Sequence, residues 1–216
     1  MKQKTLFIAA ALSLLVLFVI GVLAYQSSRE QEAEELAAAN RSALLRMHSP
    51  SLGAAEAPVV IVEFLDPACE TCAAFYPRVK ALIAAYPQKI RLVLRYAPFH
   101  NGSDKVVGLL EAARKQGKFW PALERLLATQ PAWSPRHSPD AALALAQLEG
   151  IGLNLDQLAF DMTSPEIAQV IAQDLADAQA LNVSKTPEFF VNGRPLPSFG
   201  FDQLEKLLAE ELAKVR

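Results

Sequence analysis

The sequence predicts an α/β domain of order βαβ, helical insert, ββα, preceded by a long apolar helix. Three observations carry that reading. Apolar, β-branched runs at residues 57–65 and 89–99 flank a stretch with helical spacing. Residues 103–181 contain several helix starts and no convincing strand. A hairpin and an amphipathic helix then occupy residues 186–215. The 216 residues, 52% apolar and 20% charged, supply one domain of ordinary size and an appendage without need of disulfide staples. A net charge of −2 without a basic stripe excludes a nucleic-acid partner.

The first element is "LFIAAALSLLVLFVIGVLAY", residues 6–25, an uncharged run about as long as a bilayer is thick in helical rise. Lys2 and Lys4 precede it and the acidic "QSSREQEAEEL" follows, which favours a cytoplasmic N-terminus with the bulk of the chain outside. Residues 1–25 are thus an anchor or a signal. The run is longer than a signal-peptide core, which favours an uncleaved anchor; cleavage at Val22-Leu23-Ala24 is the rival. Residues 26–52 read as a helical spacer ending at the breaker "HSPSLG". Ala33, Leu36, Asn40, Ala43 and Met47 follow 3-4 spacing, so an oligomerising seam through residues 30–48 is the alternative to a simple spacer. Its two heptads fall short of the length a coiled coil needs.

The domain proper is expected over residues 53–216. "APVVIVEFL" is a strand buried on both faces, and "CETCAAFYPRVKALIAAYP" is a helix that Pro77 should kink or break. "KIRLVLRYAPF" is a second strand, and a strand–helix–strand of this length implies a parallel pair. In the insert, Ser138-Pro139 and Ser164-Pro165 each pair an N-cap serine with proline at the first helical position, and Asn154 with Gln157 fits a capping box. Trp120 and Trp133 read as core and cap residues there. "TPEFFVNGRPLP" gives two short strands turning at Asn192-Gly193, and "FDQLEKLLAEELAKV" closes as a helix with Leu204, Leu207, Leu208, Leu212 and Val215 inward.

Both cysteines, Cys69 and Cys72, lie in "FLDPACETC", where the first strand gives way to a helix. Backbone N–H groups at a helix start stabilise a thiolate, so Cys69 can attack near neutral pH while Cys72, one turn on, closes the disulfide. Zinc needs four ligands, and His48, His100 and His137 show no paired spacing; a copper site would need the methionines, which lie elsewhere. Two inert core thiols are disfavoured by the polarity of "DPACET". No cofactor is expected beyond a redox-active Cys69–Cys72 disulfide.

Glu63 stands alone in the apolar strand. It is either an edge carboxylate in water or a buried acid of raised pKa that exchanges a proton with Cys72. Thr186-Pro187 is either a helix terminator or a cis proline beside the cysteines, its preceding residue offering backbone groups to an extended substrate. His100 reads more simply as a loop histidine than as a site residue.

"GAAEAPVVIVEFLDPACETC", the helical insert and "SKTPEFFVNGRPL", in that order, resemble the DsbA-like thiol:disulfide oxidoreductases, and most of all the membrane-anchored group, over roughly residues 53–215. The resemblance implies a thioredoxin-like fold with an inserted α-helical domain at about residues 103–181. It implies Cys69 as nucleophile, Cys72 as resolving thiol, Glu63 as buried acid, and Thr186 and Pro187 as the substrate-binding pair. The family's commoner Pro-His dipeptide is here Glu70-Thr71, which makes those two residues the candidates for redox tuning. A glutamate there should leave the thiolate less stable than in the strong oxidants, giving a Cys69 pKa of about 5–6.5 and a potential of roughly −150 to −220 mV.

The function expected is disulfide exchange with cysteines of exported proteins, by a catalytic domain in the periplasm or otherwise outside the cytoplasm, tethered to a bacterial inner membrane through residues 6–25. A membrane redox partner would reset the pair. An oligomeric disulfide isomerase or a dedicated thiol reductase of the same fold are alternatives, and a non-catalytic chaperone-like binding module is the rival of another class.

Overall fold

In the computed structural model, which describes residues 2–215, the N-terminal run lies in helix α1 (Lys2–Leu44). The described residues form two units, divided between Ala39 and Asn40. In the first, α1 is long and apolar enough to cross a membrane, and its side chains from Leu12 to Tyr25 are exposed, unlike those of a core helix.

The second unit starts earlier than the expected boundary at residue 53, and ionic contacts explain why. Arg95, fully buried, donates from Nε and Nη2 to Asp174 Oδ1 at 2.9 and 2.7 Å, and from Nη2 to Asp177 Oδ2 at 2.6 Å. Arg46 pairs with Asp177 at 2.6 Å, His48 Nε2 lies 2.7 Å from Asp174, and the Ala43 carbonyl accepts from Arg95 Nη1. Leu44 is buried beside them. The Asn40 amide donates to the Gly193 carbonyl at 3.3 Å. Residues 40–48 therefore belong to the domain, and Asn40 and Ala43, two positions of the suggested oligomerising seam, are already engaged within the chain. A spacing pattern on one helix carries no trace of partners so distant in sequence.

Strand β1 (Ser51–Gly53), which lies in the breaker "HSPSLG" of the sequence reading, pairs antiparallel with β3 (Ile90–Tyr96), Ser51 opposite Val93. Three residues are too few for alternation to register. Gly53 has φ of 106°, and a Cβ there would stand 2.5 Å from the Ile90 carbonyl oxygen, so only glycine fits. Then come β2 (Val59–Leu65), α2 (Glu70–Ala85) and β3 (Ile90–Tyr96), with β2 and β3 parallel as expected. Helix α2 runs unbroken through Pro77.

The insert comprises α3 (Ser103–Lys115), α4 (Phe119–Ala128), α5 (Gln130–Trp133), a 3-10 turn at Pro135–His137, α6 (Ala141–Gln147), α7 (Leu155–Asp161) and α8 (Pro165–Ala180). Ser164 caps α8 with Pro165 at its first position, and Asn154 caps α7 by accepting from Gln157 N at 3.0 Å. Helix α6 is capped not by Ser138 but by Asp140, whose carboxylate accepts from the N–H groups of Ala142 and Leu143. Trp133 is fully buried, its Nε1–H donating to the Leu126 carbonyl, and Trp120 packs edge-on against Phe119. The chain ends with β4 (Glu188–Val191), β5 (Arg194–Pro195) and α9 (Phe201–Lys214). Positive φ at Asn192 and Gly193, 49° and 86°, makes the hairpin turn of the primed type.

The sheet order is β1-β3-β2-β4-β5, which puts β2 at the centre between parallel β3 and antiparallel β4. Alternation along β2 divides two cores. Val59, Ile61 and Leu65 face a front core shared with α2, the insert and α9, so insert and sheet have one continuous interior. Val62 and Phe64 face a back core with Leu44, Ala178 and Phe190. Glu63 shares the front parity.

Candidate active site

Strand β2 ends at Leu65, and a turn carries the chain into α2. The buried Asp66 carboxylate fixes that turn. It accepts from Ala68 N at 2.8 Å, from His100 N at 2.9 Å and from the Ser103 hydroxyl, and lies 2.7 Å from His100 Nδ1. The Asp66 carbonyl takes the Cys69 N–H at 3.0 Å. With the turn so held, Cys69 becomes the N-cap of α2, in extended conformation with φ −77° and ψ 117°. Cys72 lies in the first turn, wholly buried, and both cysteines are thiols.

Thr186 and Pro187 meet this site from far along the chain. Their peptide bond is cis, and the Cys69 thiol donates to the Thr186 carbonyl at 3.3 Å. The Cys69 pKa is lowered to about 5, first by the hydrogen bond from the Cys72 thiol, with help from the Thr186 side chain and the N–H groups of Cys72 and Thr71, against the opposing effect of burial. Cys72 is driven the other way, chiefly by burial, then by its bond to Cys69 and the charge of Glu63. One thiol is thus poised as an attacker and its neighbour is kept protonated.

Glu63 is not an edge carboxylate. It is fully buried, opposite Leu94 on β3 and Phe189 on β4, and neither carboxylate oxygen has a hydrogen-bond partner among the described residues. Desolvation, with a smaller contribution from Cys69, raises its pKa to about 8. The sequence-predicted residues Cys69, Cys72, Glu63, Thr186 and Pro187 therefore come together on the front of the sheet. Glu70 and Thr71 divide: the Thr71 N–H acts on the Cys69 sulfur, while the Glu70 side chain is exposed, 3.9 Å from His137 Nδ1, and is not among the groups that shift Cys69.

Sequence reasoning missed Asp66, and placed His100 in a surface loop. The signal for the first was "DPA" at a strand end, since an aspartate before proline accepts from the N–H two residues on. His100 is tied to Asp66 and stacks on His137 with ring centroids 5.6 Å apart, a contact between a strand end and the insert that no local pattern announces.

A family model described as "Thioredoxin" matches residues 46–210. A "Na(+)/H(+) antiporter NhaA" of Herminiimonas arsenicoxydans is 33% identical over 144 residues, 67% of this chain and 22% of the antiporter; the chain spans about a fifth of the length of such relatives. A "Probable disulfide bond formation protein D" of Bacillus cereus is 28% identical over 225 residues, 99% of each chain. The crystal structure of a "thioredoxin-like oxidoreductase" from Silicibacter pomeroyi superposes with a TM-score of 0.70 at 32% identity, over 82% of this chain and 99% of that one.

Proposed function

Since the chain belongs to the thioredoxin family, we propose that it is a thiol:disulfide oxidoreductase of DsbA-like type, exchanging disulfides with cysteines of exported proteins. The observation that carries this reading is the pairing of Cys69, lowered to about 5 at a helix start and facing the Thr186 carbonyl, with the buried Glu63 and Cys72 behind it. In the oxidising direction a substrate thiolate attacks Cys69 Sγ, the Cys69–Cys72 bond breaks, and Cys72 leaves as a thiolate that takes the proton of Glu63. A second substrate thiolate attacks the substrate sulfur bonded to Cys69. The substrate disulfide forms and Cys69 departs as the stabilised thiolate. A membrane redox partner that removes two electrons from the dithiol restores the pair. Thr186 presents its backbone to the substrate as a strand would.

The α1 helix supports a single-pass anchor in a bacterial inner membrane, with the catalytic unit in the periplasm or outside the cytoplasm, where a disulfide persists. The reading is tested by insulin reduction and by refolding of a thiol substrate with the whole chain. Exchange that disappears in Cys69→Ala supports it. An activity indifferent to that change belongs to a binding module instead.

A Cys69 pKa of about 5 lies between those of the strong oxidants, ~3.5, and thioredoxin, ~7, and the intermediate potential of roughly −150 to −220 mV follows. Replacing Glu70-Thr71 by Pro-His should raise the potential measured against glutathione by at least about 30 mV, the equivalent of one pKa unit. Glu70 is solvated, so most of the rise comes from the histidine gained rather than the carboxylate lost. A wild-type potential already near ~−120 mV and unmoved by the swap would show that the dipeptide is not the control.

A further inference from the structure

The proton held by Glu63 has no visible way out. Cys72 and Glu63 are both fully buried, and the Glu63 carboxylate touches no hydrogen-bonding group among the described residues. Yet for Cys72 to resolve a mixed disulfide its own proton must pass to Glu63, and burial keeps that carboxyl protonated at neutral pH, so the proton already there must first leave.

One turn beyond Cys72, on the same face of α2, stands Tyr76, itself buried. Its hydroxyl reaches toward α4 and lies 3.4 Å from Glu124 Oε1. Lys80, a further turn along α2, holds the same oxygen at 2.6 Å. The side chains of Glu124 and Lys80 are both about two-fifths exposed. Tyr76 and Lys80 thus join the buried face of α2, one turn beyond Cys72, to a carboxylate in contact with water. The charged and titratable groups around Tyr76 are Glu63 from β2, Cys72 and Lys80 from α2 and Glu124 from α4. Burial, then Glu124, then Glu63 keep the phenol neutral, so it holds its own proton at rest and can accept one only while donating another.

We infer that Tyr76 and Glu124 form the route by which the proton of Glu63 exchanges with solvent, Lys80 fixing the outer carboxylate. In the outward step Glu63 gives its proton through one water to the Tyr76 oxygen, as the Tyr76 O–H passes its own to Glu124 Oε1. Tyr76 ends neutral, Glu63 ends as the carboxylate, and Glu124 releases the proton to bulk water. The inward step is the reverse. Tyr76 acts through Glu63 and never meets the sulfur being exchanged. The inference rests on the thiol:disulfide reading and adds the path of the proton to it.

The test is rapid-mixing kinetics of the reduced full chain with oxidised glutathione, separating attack by Cys69 from resolution by Cys72. Tyr76→Phe keeps the ring and removes only the hydroxyl. Resolution should slow about tenfold, less than the roughly hundredfold or more of proton transfer at a reacting atom because Tyr76 acts at one remove, while attack and the equilibrium constant with glutathione stay unchanged. Glu124→Gln should slow the same step, and the solvent deuterium isotope effect on it should change in both variants. An unchanged resolution rate in Tyr76→Phe overturns the route. So does slowing of both steps with a shifted equilibrium constant, the mark of a structural role. A wild-type chain that exchanges nothing with glutathione removes the underlying reading instead, and is told apart by failing before any variant is compared.

Discussion

Cys69→Ser should abolish exchange altogether, while Cys72→Ser should leave a protein that attacks and cannot let go. The two thiols differ enough for the assignment to be sharp. Cys69 is lowered to about 5, so at neutral pH it is almost wholly thiolate and faces the Thr186 carbonyl where a substrate would lie. Cys72 is buried and shifted upward, so it reacts only with a disulfide formed beside it, on Cys69. Removing Cys69 deletes the nucleophile. Removing Cys72 deletes the resolver, and mixed disulfides with substrate should accumulate on non-reducing gels and in intact mass spectra. Equal trapping by both single variants would reverse or erase the assigned order.

Glu63→Gln should make the oxidised protein more stable in alkali and slower as a catalyst. Below about pH 4.5 the carboxyl is neutral in the folded and unfolded chains alike, and the substitution should matter little, since a neutral acid and an amide are both buried polar groups. As pH rises from there toward 8, the unfolded chain releases its proton and the folded one keeps it, so folding stability falls. Above the folded value the charge is imposed on an apolar interior and the whole loss is present, up to about 5 kcal/mol for a shift of this size, less the smaller share that comes from the Cys69 thiolate and is absent once the disulfide forms. The oxidised form is the one to measure, because in the reduced form Cys69 titrates in the opposite sense: its lowered pKa adds stability as pH rises. Urea denaturation of wild type and Glu63→Gln at pH 4 and pH 8.5 should give a small difference at the first and several kcal/mol in favour of the variant at the second. Parallel pH dependence in the two proteins would mean that Glu63 does not titrate between those values.

The central strands, the hairpin and the closing helix were legible in the sequence because each rests on a local signal: β-branched runs, Asn192-Gly193, leucines at helical spacing. The convergence of Cys69, Glu63 and Pro187 was one of two readings that the residues offered, and the resemblance of three motifs taken in order chose between them. What stayed hidden depends on contacts remote in sequence. Arg46 and His48 looked like spacer because their partners, Asp177 and Asp174, lie on α8. The α6 cap moved from Ser138 to Asp140 because two acceptable capping residues stood close together and only the fold chooses between them. Tyr76 and Glu124 are unremarkable in any window, and meet only because α4 packs against α2.

The alternation along β2 has a bearing on how this domain could be redesigned for heat resistance. Its two faces bury charge under opposite terms. Behind the sheet, the Arg95 guanidinium is compensated by Asp174 and Asp177, and an apolar replacement of that whole cluster is the sort of change that often strengthens a protein. In front, the Glu63 carboxylate is uncompensated, and any residue that cured it would raise the melting temperature while removing the proton store on which the proposed mechanism draws. Consensus or cavity-filling designs that optimise both faces alike would therefore select inactive proteins first. On the proposed mechanism, frustration at a single odd-numbered position is a working part, and the even-numbered side of the strand is where thermostability can be gained freely.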